Sequence, residues 1–303
     1  MPDRPEPGYR LKLRRAKEHL DFIAGEGTRF IEEHLDPSLP FQPEPENEWT
    51  VLKRGDIEPL SPMWGTYLGD FVHNTRAALD QFLCALILRS DPNSSVEHVQ
   101  FPTYEGQQQW INSIEARDRS VDGPAPTDGL LTELLAVVEQ AQPYHLRGAA
   151  KKRAPLLLLL IASNADKHRA VHEAFPQVGP REMHRGLIEI IPKGYFRVLA
   201  AKVAKPGTPI ETGAEVGRMK VRIIREPPPD AEVGVHVIAP MEIAFRVPGK
   251  PLVTTHRDLW AMVSAAWNLV LHLEEVAGIH GLPSPGPDWV PAVSGAPPPE
   301  HSK

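Results

Sequence analysis

Two short stretches of this chain place ionisable side chains where apolar helical patterns would otherwise continue. In His73-Asn74-Thr75-Arg76-Ala77-Ala78-Leu79-Asp80, the groups His73, Arg76 and Asp80 stand at i, i+3 and i+7. On a helix that spacing gathers them within about 60° of one another, roughly 80° to 140° from the centre of the apolar stripe. They therefore lie beside the core, where ionisable groups are costly without partners and where ligand contacts concentrate. Asn164-Ala165-Asp166-Lys167-His168-Arg169 follows directly on a leucine run. Asn164 and His168 are one turn apart and share a face. Lys167 and Arg169 stand near the end of that helix, where the macrodipole favours cations. Charge complementarity suggests Asp80 with Lys167 or Arg169, and Arg76 with Asp166.

Three kinds of chemistry suit these residues. The first is an ion-pair and hydrogen-bond network that fixes helix register. The second is a ligand or substrate site built from the same groups. The third is a metal site from His73, Asp80, Asp166 and His168, which lacks a local signature such as His-Glu-x-x-His or a cysteine pair. The chain has no Gly-rich phosphate loop, Gly-x-Ser-x-Gly elbow or zinc motif, so no cofactor is expected. Its single cysteine, Cys84, cannot form an internal disulfide and reads as a small core residue.

The elements that must position these groups are mostly helices. Residues 9 to 35 carry Leu13, Ala16, Leu20, Ile23, Ile31 and Leu35 mostly at three- and four-residue spacing, with a possible kink at Gly25 and Gly27. A Pro- and Glu-rich loop over 36–48 and a short strand over 49–53 follow. Ser61 and Pro62 suit the start of a helix that runs to Ser90, with Leu68, Phe71, Val72, Leu79, Phe82, Leu83 and Leu86 as its core stripe. Shorter helices are expected over 106–118, 127–141 and 154–171. From about residue 185 the periodicity turns β-like, separated by Gly, Pro and Asp turns, and predicts four to six antiparallel strands. Lys220 and Arg222 alternate there with Val221 and Ile223, so one sheet face is wet. Residues 252–279 return to helix, with Leu259, Met262, Val263, Ala266, Val270, Leu273 and Val276 inward. Trp260 and Trp267 on that helix read as packing, and Lys151-Lys152-Arg153 as a solvated loop.

The expected fold class is α+β, a multi-helix bundle with an antiparallel β-rich insert before the last long helix. Its parts are a bundle over 9–182, the insert over 183–251, a completing helix over 252–281 and a Pro-rich disordered tail over 282–303. A length of 303 residues suffices for a core without staples. The formal charge of −6 argues against a general nucleic-acid binder while leaving room for a local basic patch. The first residues carry no apolar stretch resembling a signal peptide, and the run Leu156 to Ala162 is far below the roughly 18 residues needed to cross a bilayer. A soluble cytoplasmic protein that avoids membranes is the expectation.

Gly69-Asp70 to Asp80 (GDFVHNTRAALD), Gln142-Pro143-Tyr144 and Asn164 to Arg169 (NADKHR) resemble, in that order, a family of uncharacterised bacterial proteins. Its members carry an HNxRxALDH-type helix, a QPY element and an NxDKHR element. The resemblance covers about residues 62 to 172 and implies a helical core without supplying an activity. The family's Arg-x4-His spacing in turn resembles the motif of HEPN helical-bundle ribonucleases, where His acts as acid or base and Arg supports a phosphate without a metal. Here Gln81 stands at the His position, and Gln cannot titrate. Arg14/His19 and Arg29/His34 repeat the spacing, but chance alone predicts about two or three such matches. Two function classes follow. One is a binding or interaction module for a small molecule or protein. The other is a metal-independent nuclease or hydrolase using His73 or His168 with Arg76 or Lys167.

Overall fold

The apolar rhythm of the N-terminal segment becomes α1 (Gly8–His34), which passes Gly25 and Gly27 without a break in a computed structural model of the chain. The model describes residues 6–35, 38–40, 44, 48–115, 132–167, 172–179, 187–191, 193–228, 231, 233–238, 241–248 and 253–279. Gly27 does not bend the helix; it admits a close neighbour. A Cβ built there would stand 3.2 Å from Ile243 Cγ1, tighter than ordinary packing allows. The expected Pro-rich tail after residue 282 lies outside the described residues.

Two strands follow α1, β1 (Ser38–Pro40) and β2 (Thr50–Lys53), and then α2 (Met63–Ser90). Ser61 caps α2 as its position suggests, its Oγ accepting from the Met63 N–H at 3.3 Å. Every residue of the expected α2 stripe is buried. Helices α3 (Gln107–Glu115) and α4 (Thr132–Gln140) lead through a 3₁₀ turn at Pro143–His145 into α5 (Gly148–Lys152) and α6 (Pro155–Lys167). Leu156 to Leu159 are all buried, as a helix apolar on every side requires.

The strand-rich part comprises β3 (Glu173–Val178), β4 (Leu187–Ile191), β5 (Phe196–Val203), β6 (Glu215–Ile223), β7 (Gly234–Ile238), β8 (Met241–Arg246) and β9 (Val253–Thr255), before α7 (His256–Val276). An α+β chain with an antiparallel strand insert ahead of its last helix is therefore what the sequence forms. The single sheet that was expected is instead three three-stranded antiparallel sheets, ordered β1-β7-β4, β2-β6-β5 and β3-β8-β9. Two differences have a clear cause. The segment expected to be only a loop supplies β1, and β3 begins ahead of the 183 boundary. Each carries a proline (Pro40, Pro176) and each lies at a sheet edge, where a missing N–H interrupts no central ladder.

The chain divides into two compact units. One comprises residues 1–20, 69–169 and 257–303, the other residues 21–68 and 170–256. In the second, Leu52, Met219 and Val221 of one sheet share a core with Ile190 and Val235 of another and Val178 of the third. In the first, α1 and α7 are joined by a buried ion pair. Arg10 Nε donates to Glu274 Oε1 at 2.9 Å, its Nη2 pairs with Oε2, and the Tyr9 hydroxyl donates to Oε1 at 2.8 Å. Both charges are about 95% buried, at 5% and 3% exposure, so each is the other's required partner. Burial and the adjacent carboxylate push the Tyr9 phenol well up.

Candidate functional site

The first polar stretch lies on α2, in the unit whose described elements are helices, and it divides into an inward and an outward set. Arg76 points inward at 6% exposure. Its guanidinium donates to the Phe101 carbonyl and to Thr103 Oγ1 at 3.3 Å, and its Nε lies 3.3 Å from Asp80 Oδ1. Asp80 in turn accepts from the Phe101 N–H at 2.7 Å. The i, i+4 pair thus grips one residue by both its backbone groups. Burial lowers the Arg76 pKa, and Asp80 opposes that shift.

Gln142, of the Gln-Pro-Tyr element, grips the same segment from the turn just after α4. Its Oε1 accepts from the Tyr104 N–H at 2.9 Å, while its Nε2 donates to the Pro102 carbonyl at 3.0 Å and to Val138 O at 2.9 Å. The loop 101–104 carries no regular ladder of its own, so these side chains satisfy backbone groups that would otherwise be buried unpaired. Asn74 is also consumed locally, donating to Asp70 O at 2.7 Å and accepting from Lys12 Nζ at 3.2 Å. Sequence reasoning missed Thr103 and the loop as partners, because no spacing rule links positions 76 and 101.

The outward set is different. His73 and Asp70 are exposed on α2, and Asn164 is exposed on α6 with Asp166 half-buried nearby. Gly69 brings the two stretches together. A Cβ at Gly69 would stand 2.7 Å from Asp166 Oδ1, so the Asp166 carboxylate rests against bare α2 backbone. The expected Arg76–Asp166 pair does not form. Asp166 meets α2 seven residues earlier, about 10 Å along the helix axis, and Arg76 spends its donors on Asp80 and the loop. His168 and Arg169 lie outside the described residues, as does the side chain of Lys167, so the Asp80 link expected for Lys167 or Arg169 falls there too.

Asp70 also faces α1. His19 is partly buried there, and burial together with Arg15 lowers its pKa while Asp70 raises it. The described contacts thus set Asp166 against Gly69 and Asp70 beside His19, while His73 and Asn164 are exposed on the same two helices. Among the described residues, no group of three or more His, Cys, Asp or Glu could hold a metal ion. No described helix is long and apolar enough to cross a membrane. Arg153 lies in an exposed turn, as the sequence suggested, and donates from Nη1 to both oxygens of Asp258 on α7, at 2.7 and 2.6 Å.

Fold and site together define an α+β protein with a polar patch where two of its helices approach. No known family model, curated protein or solved structure matches this chain.

Proposed function

We propose that this protein is a binding module whose small-molecule ligand is received on the α2–α6 patch by Asp70, His73, Asn164 and Asp166. The observation that carries the reading is the Gly69–Asp166 approach. A glycine inside a helix costs about 1 kcal/mol relative to alanine, and here it makes room for the Asp166 carboxylate on the helix that carries the exposed Asp70 and His73. Two carboxylates beside an imidazole and an amide suit a ligand that donates hydrogen bonds, such as an amine or a polyol. The resemblance to the HNxRxALD, QPY and NxDKHR family supports the same patch, since the outward residues belong to those motifs.

The nuclease alternative needs Arg76 or Lys167 to grip a phosphate. The Arg76 donors are engaged by Asp80, Phe101 and Thr103, which favours binding over that mechanism. The test is a titration of the 15N-labelled chain with small amines, polyols, carboxylates and phosphates. The expected result is that an amine or polyol shifts the amide signals of residues 69–73 and 164–166, and that Asp166→Asn and His73→Ala abolish those shifts. Shifts that map elsewhere, or that survive both substitutions, would refute the reading.

A further inference from the structure

The β2-β6-β5 sheet has two unlike faces. Thr50, Leu52, Met219 and Val221 are buried on one. Register puts Arg218 beside Lys202 and Val51 in one cross-strand row, Lys220 beside Ala200 in the next, and Arg222 beside Arg197 beyond it. Five cations therefore share the opposite face, in a chain whose formal charge is −6. Glu215 accepts from Arg218 at 2.8 and 3.0 Å beside them.

Aromatic rings are set into this basic face. Trp49 extends β2 opposite Lys220, and Lys202 and Lys220 hold their ammonium groups 5.1 and 5.4 Å from its ring centroid. At the end of the β5–β6 pair, the Arg225 guanidinium lies 4.7 Å from the Tyr195 ring centroid. Cations thus stand about 4.8 Å apart across strands in two of the rows and about 6.6 Å apart along β6, with Trp49 and Tyr195 toward opposite ends.

We propose that this face binds single-stranded nucleic acid, its cations following the phosphates and Trp49 stacking a base. Basic grooves with interspersed aromatics are how single strands are held without sequence preference, because every base has a π-face. Trp49 and Tyr195 are both partly buried, and exposed apolar side chains also stand on this sheet, Val51 and Ile224 among them, so the vesicle arm of the test separates an anionic membrane from a nucleic acid. The reading concerns the strand-rich unit and does not depend on the helical patch.

The experiment is fluorescence anisotropy of labelled oligo-dT and oligo-U of about 15 nucleotides, titrated with the full chain across a salt series. Wild type is expected to bind at low salt and to weaken steeply as salt rises. Lys202→Glu with Lys220→Glu should weaken binding at least about tenfold, and Lys220→Ala should reduce the slope of log K against log salt by about 0.7, the loss of one phosphate contact. Trp49→Leu should weaken binding about fivefold or more with the slope unchanged. Circular dichroism checks each fold, and Arg197→Ala on the exposed β5 strand replaces the lysine pair if that variant unfolds. Absence of binding at the lowest salt would overturn the proposal. So would insensitivity to the lysine and tryptophan substitutions, or tighter binding to phosphatidylserine vesicles or to polyglutamate.

Discussion

The Arg76–Asp80 turn of α2 and the Gly69–His73 turn that precedes it contain the same kinds of group, yet the fold treats them oppositely. At the later turn, guanidinium and carboxylate are drawn into the loop 101–104 and answer its backbone donors and acceptors. At the earlier turn, Asp70 and His73 face solvent, and the neighbouring helix contributes a further carboxylate across a glycine. The difference teaches that a cluster of titratable residues on one helix is not one site. His73 lies only about 20° around the helix from Asp80, so position along the helix axis and the loop that packs there, not a large rotation, separate the structural clamp from the exposed groups.

The comparison breaks if the clamp proves dispensable. Arg76→Leu should cost about 3–5 kcal/mol of unfolding free energy, because it strands the Asp80 carboxylate and removes the partners of Phe101 and Thr103. Urea unfolding measures it, and a loss under 1 kcal/mol would mean that the loop is held by other contacts. Gln142→Ala should cost about 2 kcal/mol, since it leaves buried backbone groups at Pro102, Tyr104 and Val138 with one partner fewer. Hydrogen exchange at the Tyr104 amide should accelerate in the same variant.

The open turn should instead report through pH. The folded pKa of His19 is depressed, so its contribution to stability is full above the unfolded value of about 6.5 and is lost as pH falls through the lower folded value. Asp70 raises that pKa, so Asp70→Asn should depress it further, which an NMR titration of the His19 ring would show. An unchanged or higher value would remove Asp70 from the neighbourhood of His19.

Much of the helical frame was legible because apolar periodicity is a local signal. The α2 stripe from Leu68 to Leu86 and the α7 positions Leu259 to Leu273 are buried as their spacing requires, while Val276 at the helix end is 39% exposed. The Arg10–Glu274 pair was not legible, because its partners lie 264 residues apart and each alone resembles a surface charge. Strand β3 was hidden by Pro176 within it, a residue that argues against a strand unless the strand lies at an edge. At the candidate site, the residue types pointed to two stretches that the fold brings together at Gly69 and Asp166. The separation of clamp from patch depended on where the loop 101–104 packs along α2, and the sequence carries no spacing rule for that.

The division of α2 is tested most directly by unfolding Asp80→Ala and His73→Ala side by side with wild type in urea. Asp80→Ala should lose about 3 kcal/mol, through the stranded Arg76 charge and the unpaired Phe101 amide. His73→Ala should stay within about 0.5 kcal/mol of wild type, as exposed residues do. Equal losses at the two positions would contradict the account, because they would make His73 part of the same clamp and leave the patch without a residue to spare for a ligand.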